Sequence, residues 1–419
     1  VAGSVQSGSR SERGGAQSMQ FPPDDAALEA RLLSVDPKGY EATRNHLSGS
    51  VTHLSPYLTH GFLSLGEVLQ AIRTRTALTK SDKLFAEFAW RAFFQHVRRH
   101  RGKAIFESLR PPVCEQPYAE VLPSDVREGR TGIAAIDQSV SQLYRDGYLH
   151  NHARMWLASY VVHYRRVAWR VGADWMYGHL LDGDLASNHL SWQWVAGTFS
   201  SKPYIFNAGN VEKYAPASWH CRHSPLDTTY EALELLAHGQ NEGLSRSFEN
   251  YAMHSRPTPA GVVEPTLYAA PPRTSANAFA DANAVRQATA QRSEVELVHS
   301  WGLRRKSLVP STAKNPVFRL GVIDPKGHAR FPWSAARWSF VLARMSEICD
   351  LVYLGCIEDL LNALPAGADL YSTLGAVDDD TQAALSNLNV RWLQPAPLVE
   401  EPPRYCQSFS RYFKEVGAR

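Results

Sequence analysis

The 419-residue chain is predicted to be mainly α, an all-helical domain followed by a small α/β domain built on a parallel sheet. Three observations carry that expectation. Apolar residues recur at helical spacing from Phe21 to about Met253. Residues 255–292 are rich in Pro, Ala, Ser and Thr and have no period. Beyond them, short β-rich apolar runs alternate with helical stretches.

Taken in order, residues 1–20 lack an apolar stretch, so they are not a secretory signal and are expected to be disordered. The helical domain is expected over 21–254. Asp24-Asp25 opens an amphipathic segment through Leu33, and Ser64-Leu-Gly-Glu67 has the spacing of a capping box ahead of Val68–Ile72. Residues 81–101 read as one long helix, with Glu87, Trp90, Arg91 and Phe94 at i, i+3, i+4 and i+7 on one face. Further helices are expected over 133–146 and 149–171, the latter with Asn151, Arg154, Met155 and Ala158 on one face. Another follows Asp182-Gly-Asp184 and closes near Gly197.

Residues 255–292 are expected to be a linker, because they offer too little apolar periodicity to offset their ordering entropy. In 293–419, strands are expected at Val295–His299, Val317–Ile323, Leu351–Leu354, Asp369–Ser372 and Val390–Leu393, and helices at 334–349, 357–364 and 379–388. No Gly-x-Gly-x-x-Gly follows the first of these strands, so this is not a standard dinucleotide-binding unit.

Composition narrows the function. The 44 basic and 41 acidic residues leave a net charge of +3, so nucleic-acid binding needs a local patch, with Arg91, Arg98, Arg99, Arg101 and Lys103 as candidates against a merely solvated helix face. The five cysteines are scattered, with no Cys-x-x-Cys pair, which argues against a disulfide framework or metal cluster and for reduced thiols in a cytoplasmic protein. No apolar run approaches the roughly 18 residues that span a membrane. Eleven tryptophans are well above usual, and so costly a residue implies a packing or a redox reason.

The most informative string is Asp182-Gly-Asp-Leu-Ala-Ser-Asn-His-Leu-Ser-Trp-Gln-Trp194. Two carboxylates stand two apart, and Asn188 and Trp192, at i and i+4, share a helical face. A polar atom set against an indole across one turn suits a flat, redox-active ring. The structural alternative is an Asp-capped helix with an aromatic core face.

The string resembles the flavin-binding signature of the DNA photolyase and cryptochrome family, and three upstream blocks extend the resemblance over about residues 21–215. Tyr40-Glu-Ala-Thr-Arg44, followed by Thr52-His-Leu-Ser-Pro-Tyr-Leu-Thr-His-Gly61, resembles the loop that wraps the flavin phosphates. That implies cofactor contacts from Tyr40, Thr52, His53, Leu54 and Ser55. Glu87-Phe-Ala-Trp-Arg-Ala-Phe-Phe94 resembles the helix lining the lesion pocket, where Glu87 would hydrogen-bond a flipped-out pyrimidine pair, Trp90 would stack on it and Arg91 would face flavin or DNA. His150-Asn-His-Ala-Arg-Met155 implies that Asn151 and Met155 meet flavin and dimer and that Arg154 pairs with Asp182 against the flavin ring.

In the fourth block the resemblance implies that Asp182 and Asp184 meet the ring and ribityl chain and that Asn188 lies beside the flavin N5. It also makes Trp192 and Trp169 the first two electron-transfer tryptophans and Trp194 a second pocket tryptophan. A third, exposed tryptophan has no counterpart; the stretch before Gly129 offers Tyr118. His189-Leu-Ser191 departs from the usual spacer, and Gly209 to His223 has no recognisable match. The C-terminal part resembles the family's antenna domain moved behind the helical one, through Val295-Glu-Leu-Val-His-Ser-Trp and Leu320-Gly-Val-Ile-Asp-Pro325, with an unrelated α/β interaction domain as the alternative.

The resemblance implies a deoxyribodipyrimidine photo-lyase, a carbon–carbon lyase that splits cyclobutane pyrimidine dimers by electron transfer from photoexcited reduced FAD. Branches acting on the (6-4) photoproduct carry histidines where this chain has Asn151 and Met155, which favours cyclobutane dimers. The alternative is a cryptochrome-like blue-light sensor without repair. FAD is the expected cofactor, and a second, antenna chromophore is left open. Dimer-containing DNA is the expected partner, contacted by Arg44, Arg98, Arg99, Arg101, Lys103 and Arg165. A monomer without metal or membrane is expected.

Overall fold

The computed structural model describes residues 20–254, 261–273, 278–310, 316–375 and 378–417; the expected disorder of 1–19 lies outside them. Helices dominate up to residue 254, and a parallel five-stranded sheet follows. No helix is long and apolar enough to cross a membrane.

Four helices frame the site: α1 Lys83–Arg101, α2 Asn151–Ser159, α3 Trp169–His179 and α4 Leu185–Ala196. Helix α1 ends at Gly102 with φ 52°, and its last turn carries Arg98, Arg99, His100 and Arg101, the charge that a helix C-terminus favours. The expected capping box is formed: Ser64 N–H donates to Glu67 Oε2 at 2.7 Å and Glu67 N–H to Ser64 Oγ at 3.3 Å. Helix α4 starts on Asp184, whose carboxylate accepts from Ser187 N–H at 2.7 Å, and stops at left-handed Gly197.

The helix expected over 149–171 is two helices. After α2 the chain makes a π-turn at Tyr160–Tyr164, and Arg166 turns left-handed at φ 48°. Val167 then pairs with Ala119 before α3 begins at Trp169. Tertiary bonds, not side-chain period, set this reversal.

In the C-terminal unit, β1 Glu294–His299, β2 Phe318–Ile323, β3 Leu351–Leu354, β4 Asp369–Thr373 and β5 Arg391–Leu393 lie in the order β3-β2-β1-β4-β5, all parallel. This is the doubly wound order, with its switch point between β1 and β4. Helix α5, Ala335–Ile348, covers one face, and α6, Phe409–Gly417, packs back on α1. The expected 357–364 helix is a 3-10 helix over Ile357–Asn362.

The stretch expected to be a linker carries structure at both ends of what is described. Leu267–Tyr268 pairs antiparallel with Trp333–Ser334, Trp338 Nε1–H donates to Tyr268 O at 3.0 Å, and Ala282–Thr289 is helical. One hydrophobic core runs through both units, joining Tyr57, Phe62, Phe85 and Phe93 to Trp301, Trp333, Phe340 and Tyr412. The α/β unit is therefore docked by shared burial, worth on the order of 2 kcal/mol per large side chain.

Candidate flavin site

A cavity of about 1120 Å³, open mouth included, lies between α1, α2, α3 and α4. It is lined by Tyr40, Ser55, Glu87, Trp90, Arg91, Asn151, Arg154, Met155, Asp182, Asp184, Asn188 and Trp192, residues that the sequence placed in four separate blocks. Helical spacing explains the convergence. Glu87, Trp90, Arg91 and Phe94 form one stripe of α1, and Asn188, Ser191, Trp192 and Val195 form one stripe of α4.

One ion pair organises the floor. Arg154 Nη2 donates to Asp182 Oδ2 at 2.8 Å, and Arg154 Nε to Leu149 O at 2.8 Å. Burial alone would raise the Asp182 carboxyl; the Arg154 guanidinium outweighs it and holds the pKa below the ordinary value. Asp184 is also held down against burial, by the charge of Arg91 and by Ser187 N–H, and it accepts from Gln95 Nε2 at 2.8 Å. Arg91 Nη2 donates to Thr59 Oγ1 at 2.9 Å. Asn188 is fixed by its amide, which donates to Ala173 O at 2.8 Å. Gly172 makes room for Trp192: a Cβ there would lie 2.3 Å from the indole.

The loop from Leu181 to Asp184 is pinned carbonyl by carbonyl. His60 Nε2 lies 3.0 Å from Leu181 O, Thr59 Oγ1–H donates to Asp182 O at 3.0 Å, and Arg337 Nη2 donates to Gly183 O at 2.6 Å. Among the described residues Asp182 Oδ1 and Ser187 Oγ, both buried atoms, have no hydrogen-bond partner, so the cavity has polar atoms to spare for a bound group.

Glu87 pairs with Lys83 at 3.5 Å rather than with Arg91. Trp90 lines the cavity, yet one face of its indole is covered: Phe409 of α6 stacks on it, 3.9 Å between centroids and 10° from parallel. Sequence reasoning missed this contact, as well as Tyr148, Leu149, Met176, Leu180 and Ser187 in the lining. The serine was detectable, since it precedes Asn188 on the same helix; the rest come from turns and from a helix with no site motif.

Several expected residues lie elsewhere. Of the phosphate loop, Ser55 lines the cavity, but Leu54 is core and His53, left-handed at φ 50°, packs its ring on Phe21 and Tyr148. Thr52 Oγ1 accepts from Leu54 N–H at 3.5 Å and is not in the lining. Trp194 is also outside the lining and packs against Tyr204 at 6.1 Å. Trp169 donates to Ser108 Oγ at 2.9 Å and shares a second, smaller cavity with Tyr118.

The basic patch is corrected most. Arg98 pairs with Asp379 at 2.9 Å, Arg99 with Glu401, Lys103 with Asp380 at 3.8 Å, and Arg101 lies 5.0 Å over the Tyr405 ring. These partners all belong to the α/β unit, so the patch is a docking face. Arg165 is locked to Asp125 inside the helical domain. Of the expected DNA contacts, Arg44 and Arg101 are in no ion pair among the described residues, and Arg44 donates to Glu41 O at 2.7 Å.

Residues 84–223 match the family of the FAD binding domain of DNA photolyase. Within the helical domain, that stretch is similar to the FAD-binding domain of DNA photolyases. The match runs through Gly209–His223, where motif reading found nothing. The chain is 35% identical over 160 residues to the deoxyribodipyrimidine photo-lyase of Streptomyces griseus, covering 38% of this chain and 35% of that protein. It is 33% identical over 168 residues to the chloroplastic/mitochondrial cryptochrome DASH of Oryza sativa, covering 38% and 29%. A crystal structure of Synechocystis cryptochrome aligns with a TM-score of 0.41 at 25% identity, over 47% of this chain and 44% of that one. The aligned part thus spans less than half of each of these relatives.

Proposed function

We propose that this photolyase-family protein binds FAD in the α1–α4 cavity and repairs cyclobutane pyrimidine dimers in DNA, as a deoxyribodipyrimidine photo-lyase. The observation that carries the reading is the convergence of twelve separately predicted residues on one cavity, with Arg154 paired to the buried Asp182 at its floor. When bound there, reduced FAD supplies a photoexcitable electron donor.

The protein supplies position and charge. Arg154 and Asp182 fix the inner wall, and Arg91 sets positive charge beside Asp184, so that a flat ring meets oriented dipoles rather than water. Asn188 and Trp192 present the α4 face to that ring. At the mouth, Glu87 accepts or shares a hydrogen bond with a base edge, and Trp90, Phe94 and Met155 shield the lesion from solvent. A dimer already stacks and pairs poorly, which lowers the cost of turning it out of the duplex.

Phosphate contacts fall to basic groups gathered around Tyr214. Tyr214 holds the rings of His46 and His152 at 5.2 and 5.1 Å, and Lys213 Nζ lies 5.0 Å over the Tyr214 ring. None of Arg44, His46, His152 and Lys213 is in an ion pair among the described residues. Burial, with Arg44 and His46 nearby, lowers His152 to about 4, so its ring adds no charge to the cluster at neutral pH.

The test is to load the protein with FAD, reduce it, and illuminate it with a dimer-containing oligonucleotide. Recovery of pyrimidine absorbance that requires light supports repair. Bound flavin with no recovery would reassign the protein to the sensor class.

A further inference from the structure

We propose that Arg337, on the α/β unit, is a positioning residue of the flavin site: it fixes the peptide between Asp182 and Asp184, so the site is completed only by the docked C-terminal unit. The proposal rests on the flavin reading above and adds a residue to it from outside the matched domain.

Arg337 lies in the first turn of α5 and is wholly buried. Its guanidinium stacks 3.8 Å from the centroid of Trp333 and reaches across to the helical domain, donating to Gly183 O at 2.6 Å and to Tyr177 O at 3.4 Å. Among the described residues Nε has no partner, and no carboxylate forms an ion pair with the group. A buried guanidinium without a contact ion pair is expensive to keep, and a methionine would fill the same space. Packing therefore does not account for it.

Gly183 shows how close the fit is. A Cβ there would stand 2.5 Å from Arg337 Nη1 and 2.7 Å from Tyr177 O, so the guanidinium and the Tyr177 carbonyl together leave room only for glycine between the two aspartates. Of the three pinned carbonyls in this loop, the third is held only by Arg337. A second tie runs alongside, since His60 sits between Leu181 O at 3.0 Å and Ser300 O at 2.7 Å, the latter at the end of β1.

The charge matters as well. In the inner cavity Asp182 and Asp184 are balanced by Arg154 and Arg91, and Arg337 adds one positive charge behind the loop. Burial pushes its pKa down, while Tyr177 and the two aspartates act in the other direction. A bound group that gains electrons is stabilised by that extra charge.

The experiment uses the full chain with FAD as the probe, measuring FAD dissociation, the midpoint potential of bound FAD, and thermal unfolding. Arg337→Met should raise the FAD Kd at least tenfold and make the potential more negative. Arg337→Lys should keep the potential near the parent value while still weakening FAD, because an ammonium lacks the planar fork. Parental affinity and potential in folded Arg337→Met overturn the proposal. Should that variant not fold, parental values for both in Arg337→Lys overturn it equally. A parent chain that refuses FAD removes the flavin reading and this proposal with it, whereas a binding parent with unaffected variants removes only the proposal.

Discussion

The two halves of helix α1 use the same residue types for opposite purposes. In the first half, Glu87, Trp90, Arg91 and Phe94 face the cavity. In the second, Arg98 and Arg99 are spent on Asp379 and Glu401, while Lys103 just beyond the helix reaches Asp380. The first half is read correctly from spacing, because a stripe at i, i+3, i+4, i+7 must face something. The second half misleads, because cations at a helix C-terminus suit the macrodipole, a phosphate and a partner carboxylate alike. Local charge does not choose between them; the docked α/β unit does.

The largest effect should come from the cavity side. Arg154→Met leaves the Asp182 carboxylate buried without its partner, a loss of about 3–5 kcal/mol, expected as loss of FAD binding by more than 100-fold in a titration. Glu87→Ala, at the mouth of the same cavity, should keep FAD and lose most repair. If Glu87→Ala repairs at the parental rate, the first half of α1 is not a pocket face.

Acid should loosen both halves together. His60 is held down to about 3 by burial and by Arg337, and His150 to about 4 by burial with His152 and Arg154 alongside. His299, the last residue of β1, is held to about 4 by burial. These folded-state values lie below the unfolded imidazole value of 6.5, so the unfolded chain binds more protons in between. Stability is therefore fully present above pH 6.5 and is lost as pH falls toward 4. Each such imidazole withdraws on the order of 3 kcal/mol. Urea unfolding at pH 7.5 and 5 should show a falling midpoint; a flat profile would mean that these rings are not neutral and buried.

Much of the site could be read in advance because helices bring i and i+4 residues together wherever the helix goes. Strands β1 to β5 were readable for a similar reason, since short β-branched runs between helical patterns leave few other arrangements. What escaped depends on distant partners. The break after Ser159 is made by the π-turn and by Val167 pairing with Ala119. The supposed linker is ordered where Trp338 and Trp333 hold it, and those residues lie about 65 positions on. Phe409 looked like part of an unremarkable tail, and only the fold places it on Trp90.

That last contact joins the two comparisons. Phe409→Ala removes a stacked ring from a half-buried site, and should cost about 1–2 kcal/mol. Its signature should be a change in tryptophan emission and weaker binding of dimer-containing DNA, with FAD affinity unchanged. Unaltered lesion binding would show that Trp90 keeps its position without α6.

The smallest effects decide which half meets DNA. Arg44→Ala should weaken binding a few-fold at low salt and make the slope of log K against log salt shallower by about 1, one phosphate contact fewer. Arg98→Ala should leave that slope alone, because its partner is Asp379, and a double-mutant cycle with Asp379→Ala should give a coupling of about 0.5–1 kcal/mol, as for a partly exposed pair. If instead Arg98→Ala flattens the salt dependence and the cycle shows no coupling, the second half of α1 faces nucleic acid after all. The α/β unit would then have to leave its dock, uncovering Arg99 and Lys103 as well, for DNA to bind.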